Sequence, residues 1–273
     1  MSSHFLNQRP WAVHLALGTN DLFPIVATAR PHLIGVVGAA GAGKTTLLAA
    51  HWVAARRGIG NFGRAFAGSY TLSGWYQIAR HLQWIPWGSG FPPHTSAVNE
   101  RSPALLHMAI KHVDRPSKNI LYTDAPGEWF TRWAEEPGEA EGAQWVADFS
   151  DAFVLLADSD ALSGAARGVA RAEYESLAIQ LSTAARGRTV IPVLTKADLP
   201  IPEPIETFVT NLNERLFLRQ TVRVSVKTEA FESITAPIDQ GVAAAMEEPA
   251  RSDFPAGEWA RQLAPKIGNT MRL

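Results

Sequence analysis

The sequence predicts an α/β fold with a mostly parallel central sheet, and three observations carry that reading. Short apolar runs rich in β-branched residues alternate with stretches of helical spacing. Several of these runs stop on a small or polar residue, Gly38, Asp124 and Thr195 among them. A glycine-rich segment joins the first strong run directly to a helical stretch.

In chain order, His32 to Val37 (HLIGVV) reads as a buried strand, followed by the glycine-rich segment and a helix over Thr45 to Arg57. Gly58 to Gly63 ends that helix, and from there to about Ser102 the pattern breaks up into Gly, Pro and Trp, with room for one helix over Leu72 to Leu82. Ala104 to Val113 and Asn119 to Thr123 read as strands around a turn at Asp114 to Ser117. Glu128 to Phe149 reads as helix in pieces, broken near Pro137-Gly138. Ala152 to Ala157 is the next strand, followed by an amphipathic helix within Gly164 to Arg186. Thr189 to Leu194 is a strand; Ile205, Phe208, Val209, Leu212 and Leu216 mark a helix. Gln220 to Val226 reads as a last strand and Ile234 to Met246 as a last helix.

Composition narrows the class. A length of 273 residues fits one elaborated domain. A net charge of -1 gives no support for a nucleic-acid or membrane-surface partner. The absence of cysteine excludes disulfides and any thiolate metal or redox site. Met1 to Arg9 lacks the pattern of a signal peptide, and no apolar run approaches the roughly 18 residues of a membrane span. The expectation is a soluble, cytoplasmic protein.

The glycine-rich segment is Gly38-Ala39-Ala40-Gly41-Ala42-Gly43-Lys44-Thr45, which has the GxxxxGK[ST] phosphate-loop pattern between a strand and a helix. Phosphate oxygens need several converging backbone N–H donors, so the chain must curl with no bulky side chain in the way. Glycine and alanine at 38 to 43 satisfy that. The helix N-terminus adds partial positive charge. Lys44 is the expected partner of the terminal phosphates, Thr45 the expected Mg²⁺ ligand, and Thr46 lies beside them.

Three later segments follow predicted strands. Asp124-Ala125-Pro126-Gly127 offers a carboxylate for Mg²⁺ and a glycine N–H for a γ-phosphate; read alone, it is equally a plain turn. Thr195-Lys196-Ala197-Asp198 offers a carboxylate that can accept from the N1–H and N2–H₂ edge of guanine, and a lysine stem to lie across the base. Read alone, Asp198 is a helix cap. Ser225-Val226-Lys227 offers backbone N–H groups to the guanine O6 and has little weight by itself.

Together these segments resemble the motif set GxxxxGK[ST], DxxG, [NT]KxD and S[AV]K of the Ras-like, translation-factor-related P-loop GTPases, over about Pro31 to Glu247. The resemblance implies a three-layer GTPase fold that binds GTP or GDP with Mg²⁺. The wording GAAGAGKTT, TDAPGEW and LTKAD is more narrowly similar to the bacterial double-GTPase families. Those families imply a role in prokaryotic conflict (anti-phage) systems and a protein partner, either a second GTPase or an effector. Residues 31–247 form the expected domain, 58–102 a switch-region insertion, and 1–30 and 248–273 terminal extensions.

The chain departs from the pattern at three places. Thr195 stands where asparagine is commoner. Glu128 stands where a water-orienting glutamine is usual, so intrinsic hydrolysis is expected to be slow, partner-stimulated hydrolysis and a pure binding switch both stay open, and Lys44, Gly127 and Glu128 are the candidate catalytic set. Lys44 and Asp124 stand eighty positions apart, about twice the usual spacing, which puts the remaining Mg²⁺ ligand inside the insertion; Thr95 is the candidate, with Ser96 and Ser102 as rivals. Trp75, Trp84, Trp87, Trp129 and Trp133 read either as a local core or as an aromatic partner surface. His51, His81, His94, His107 and His112 lack metal-ligand spacing.

Overall fold

The central apolar runs pair edge to edge because they are hydrophobic on both sides and are covered by further chain above and below. In the computed structural model, which describes residues 15–27, 29–60, 64–82, 104–113, 115–227 and 231–247, they form one seven-stranded sheet. The strands are β1 (His32–Val37), β2 (Ala65–Gly68), β3 (Leu105–Lys111), β4 (Lys118–Thr123), β5 (Ala152–Asp158), β6 (Val190–Thr195) and β7 (Val222–Arg223). Their order is β2-β3-β4-β1-β5-β6-β7. The β4-β1, β1-β5, β5-β6 and β6-β7 pairs are parallel; β2-β3 and β3-β4 are antiparallel.

Side-chain alternation sorts the strands' residues into two layers. Ile34, Val36, Val154, Leu156, Ile191 and Val193 face α2 (Lys44–Arg56), α3 (Leu72–Ala79) and α9 (Phe231–Glu247). Val37, Phe153, Leu155 and Leu194 face the layer of α4 (Gly127–Glu135), α5 (Glu141–Phe149), the short α6 (Ser159–Ser163), α7 (Arg167–Ala185) and α8 (Glu203–Phe217). A helix-sheet-helix sandwich results. Leu33, Leu105 and Leu121 are covered instead by Leu17, Leu22 and Ile25 from the segment that includes the short helix α1 (Phe23–Val26). Leu17 and Leu105 exchange two backbone hydrogen bonds of 2.9 Å, which seats that segment against the start of β3.

The structure corrects the sequence reading in three elements. Residues 58–102, which the sequence predicts to be irregular apart from one helix, contain β2, whose short, half-exposed run carries no strong strand signal. The helix expected over Leu72 to Leu82 ends at Ala79 and tightens into a 3-10 turn over Arg80–Leu82. The strand expected over Gln220 to Val226 keeps only Val222 and Arg223, because it is an edge strand held by β6 alone.

Among the described tryptophans, Trp52, Trp75 and Trp133 are buried, whereas Trp129 and Trp145 are half-buried and pack against the core on one side. Trp75 stacks on Trp52 at 5.4 Å and donates through Nε1 to the His107 carbonyl at 2.7 Å. Trp133 donates to Gln144 Oε1 at 2.8 Å, and both Trp75 and Trp133 are fully buried, which removes them as partner surface. Trp84 and Trp87 lie outside the described residues. His107 is a structural group: its Nδ1 accepts from the Tyr70 N–H, so Nε2 carries the proton toward Asn119, and burial pushes its pKa down to about 4. Among the described residues, no cluster of three or more His, Asp or Glu is placed to hold a metal ion without other ligands, and no helix is long and apolar enough to cross a membrane.

One local strain is open to a direct test. Leu218 closes α8 in the left-handed region (φ 54) with its side chain exposed. Leu218→Gly is expected to raise unfolding free energy by about 0.5–1 kcal/mol, since glycine takes that conformation without a Cβ penalty. Chemical denaturation with unchanged slope checks it.

Candidate nucleotide site

Parallel strands β4, β1, β5 and β6 all end on the same side of the sheet, which is where open α/β sheets place their ligand sites. The segment after β1 curls because Gly41 and Gly43 both take positive φ (76 and 89), which a side chain would resist. Gly38 is needed for a different reason: a Cβ there would sit 3.1 Å from Leu156 Cβ and 3.2 Å from its carbonyl oxygen. Ala42 is fully buried, and Ala39 accepts a hydrogen bond from the Ala42 N–H at 3.3 Å. The loop then enters α2 at Lys44.

Lys44 folds back over this loop. Its Nζ donates to the carbonyls of Gly38 (2.9 Å) and Ala39 (3.0 Å), and the side chain is almost wholly buried. Burial pushes its pKa down from 10.5 to about 8, against the opposing pull of Asp124 and Glu128. A phosphate group brought against Lys44 restores the charged form. Ligand binding is therefore expected to take up close to one proton at pH 9 and little at pH 7, with affinity falling as pH rises through 8. Calorimetry in buffers of different ionisation enthalpy checks this. In the free chain the sign is opposite: the unfolded state holds more protons between about pH 8 and 10.5, so the Lys44 contribution to stability rises with pH across that window.

Next to Lys44, the Thr45 hydroxyl donates to Asp124 Oδ1 at 2.7 Å. This pairs a hydroxyl and a carboxylate at the mouth of the loop, a hard-oxygen donor set suited to Mg²⁺. Asp124 is held there by its strand: Thr123 Oγ1 accepts from the Val36 N–H at 2.8 Å, locking β4 to β1. Gly127 begins α4 directly on the loop, where a Cβ would meet Ala40 N at 2.2 Å. Glu128, one residue on, is exposed and borders the cavity.

At the other end, Thr195 is buried, and its hydroxyl lies 3.0 Å from the Ala42 carbonyl and 3.1 Å from the Ala157 carbonyl. A hydroxyl has one proton for these two acceptors. Thr195 thus ties the phosphate loop to the ends of β5 and β6. Lys196 follows in the left-handed region (φ 53), a conformation costing about 1 kcal/mol for a side-chain-bearing residue. Its Nζ donates to Asp158 Oδ2 at 2.7 Å. Asp198 accepts from Ser225 Oγ at 2.6 Å and from Lys227 Nζ at 3.1 Å, and these partners, Ser225 first, hold its pKa below the usual carboxylate value.

One cavity of about 480 Å³ takes a wall from each of the four segments. Gly43, Lys44, Thr45 and Thr46 line one end, with Gly127 and Glu128 above them. Lys196, Asp198, Val226 and Lys227 line the other. Gly38, Ala39, Ala42, Asp124 and Ser225 do not line the cavity; Asp124 bonds to Thr45, which does, and Ser225 to Asp198, which does. Thr95, Ser96 and Ser102 lie outside the described residues. Asp158 and Asp160 are the polar groups that the sequence reading did not single out. The strand register that sets Asp158 opposite Thr195 brings the first of them to the site.

Comparison with protein families matches residues 32–248 to Double-GTPase 2. A search of curated proteins returned no match.

Proposed function

Because the chain belongs to the Double-GTPase 2 family, and so is a GTP-binding P-loop protein, we propose that it acts as a regulatory switch. In this reading it binds Mg²⁺·GTP and changes its affinity for a protein partner with the state of the γ-phosphate. The observation that carries the proposal is the single cavity walled by all four segments, with the buried Lys44 at one end and Asp198 at the other.

The residues divide by chemistry. Lys44 neutralises the terminal phosphates, and the N–H groups of the loop receive their oxygens. Thr45 and Asp124 are the protein's donors to Mg²⁺, which when bound neutralises phosphate charge. Gly127 reads the γ-phosphate from the start of α4, and through it the position of Glu128 and Trp129. Asp198 receives the guanine edge that adenine lacks, held in place by Ser225 and Lys227.

Glu128 sets the expected pace. A carboxylate can orient or accept a proton from the attacking water, yet its charge opposes that of the γ-phosphate, so intrinsic turnover is slow and open to stimulation by a partner. The double-GTPase resemblance adds a second GTPase or an associated subunit as that partner, within a prokaryotic defence system. A binding module without turnover is the competing reading, motivated by the same Glu128. Single-turnover assays with excess protein separate the two, and phosphate release in any condition excludes the module.

The test of the site is differential stabilisation. Saturating Mg²⁺·GTP is expected to raise the unfolding temperature well above any effect of Mg²⁺·ATP, because only the folded state binds. Asp198→Asn is expected to abolish that difference and to shift preference toward xanthosine triphosphate by at least about tenfold. Equal responses to GTP and ATP in the wild-type chain would remove the guanine assignment.

A further inference from the structure

We propose that Asp158 is the positioning residue that fixes the Lys196 side chain along the base end of the nucleotide cavity. The inference rests on the guanine-nucleotide reading of that cavity and deepens it.

Asp158 is the last residue of β5 and sits opposite Thr195 in the β5-β6 register. Both its oxygens are engaged, in different tasks. Oδ1 accepts from the backbone N–H of Asp160 at 3.0 Å and of Ala161 at 3.4 Å, capping the short helix that begins at Ser159. Oδ2 accepts from Lys196 Nζ at 2.7 Å, with the Asp158 side chain only 10% exposed. Asp160 is a weaker partner, 3.9 Å from the same ammonium and 67% exposed.

The lysine is held from both ends. Its backbone takes the left-handed conformation (φ 53), and Asp158 anchors the far end of the side chain. Lys196, so held, lines the cavity beside Thr195 and Asp198. A free lysine stem keeps close to the rotamer freedom of the unfolded chain and loses it when a base is laid on it. Asp158 removes that freedom before the ligand arrives, so the flat apolar surface for the base is already in place. Nothing about an aspartate that ends a strand, read from the sequence, distinguishes this role from a plain helix cap.

Asparagine is the informative substitution. Its amide oxygen still caps the helix, while its NH₂ group faces the ammonium in place of a carboxylate oxygen. Asp158→Asn is expected to weaken GTP and GDP alike, by about five- to tenfold, with unchanged unfolding temperature. Binding of inorganic tripolyphosphate, which has no base, is expected to stay the same. In the absence of any nucleotide, amine-reactive labelling of Lys196, read by peptide mass spectrometry, is expected to rise. Asp158→Ala removes the cap as well and is expected to lower the unfolding temperature. Unchanged GTP affinity in Asp158→Asn, or an equal loss for tripolyphosphate, overturns the proposal. A wild-type chain that binds no guanine nucleotide overturns the guanine reading itself, whereas unchanged Lys196 labelling overturns the positioning role whatever the chain binds.

Discussion

Lys44→Ala is expected to abolish GTP and GDP binding while leaving the fold intact. The two halves of that statement have separate physical causes. Charge-assisted hydrogen bonds to a phosphate are worth about 1.5–3 kcal/mol each, so losing two of them with the Lys44 ammonium costs about a hundredfold or more in affinity. The free chain, by contrast, holds Lys44 buried at a cost, which its lowered pKa of about 8 records. Removing it relieves that cost and leaves the Gly38 and Ala39 carbonyls beside a small space open to water. The unfolding temperature without ligand is therefore expected to hold or rise slightly, and the stabilisation by Mg²⁺·GTP to disappear. Retained GTP stabilisation in this variant would remove Lys44 from the site.

Gly127→Ala is expected to have the second-largest effect, through sterics rather than charge. A methyl at 127 would lie 2.2 Å from Ala40 N and 2.4 Å from both Ala39 C and Ala40 Cα. These are backbone atoms of the phosphate loop, and no side-chain rotation clears them. Either the loop or the start of α4 must move, at a cost of about 1–3 kcal/mol. If α4 moves, the N–H proposed to read the γ-phosphate leaves its place. The ratio of GTP to GDP affinity is then expected to fall toward one, while GDP affinity changes less. Calorimetric titration of both nucleotides, with a denaturation curve for the stability loss, checks the two parts. An unaltered affinity ratio would mean that Gly127 is only a packing glycine.

What could be read in advance was what is local in the chain. A strand, a glycine curl and a helix cap are each written in a few consecutive residues, so His32 to Thr45 and the starts of the later segments could be placed without coordinates. The break of the α4–α5 region at Pro137-Gly138 was legible for the same reason. Features that depend on register were not. Asp158 reaches Lys196 only because β5 and β6 pair with Asp158 opposite Thr195. β2 escaped because its exposure alternates over four residues and its partner β3 lies beyond residues 83–103. Thr195 is the most instructive case. It stands where asparagine is commoner in a base-recognition motif, and the sequence does not show that its buried hydroxyl faces the Ala42 and Ala157 carbonyls.

That hydroxyl has a consequence for how affinity is composed. By holding the loop's Ala42 against the ends of β5 and β6, it fixes the span between the phosphate end and the base end of the cavity. A ligand with both halves then meets the second half as an intramolecular event, at an effective concentration set by that fixed span. Under the guanine-nucleotide reading, guanosine and tripolyphosphate, each directed to one end, are accordingly expected to be weak ligands whose joint occupancy does not reproduce the grip on a single linked molecule. Loosening the span with Thr195→Ala is expected to weaken the linked ligand far more than either fragment in calorimetric titration.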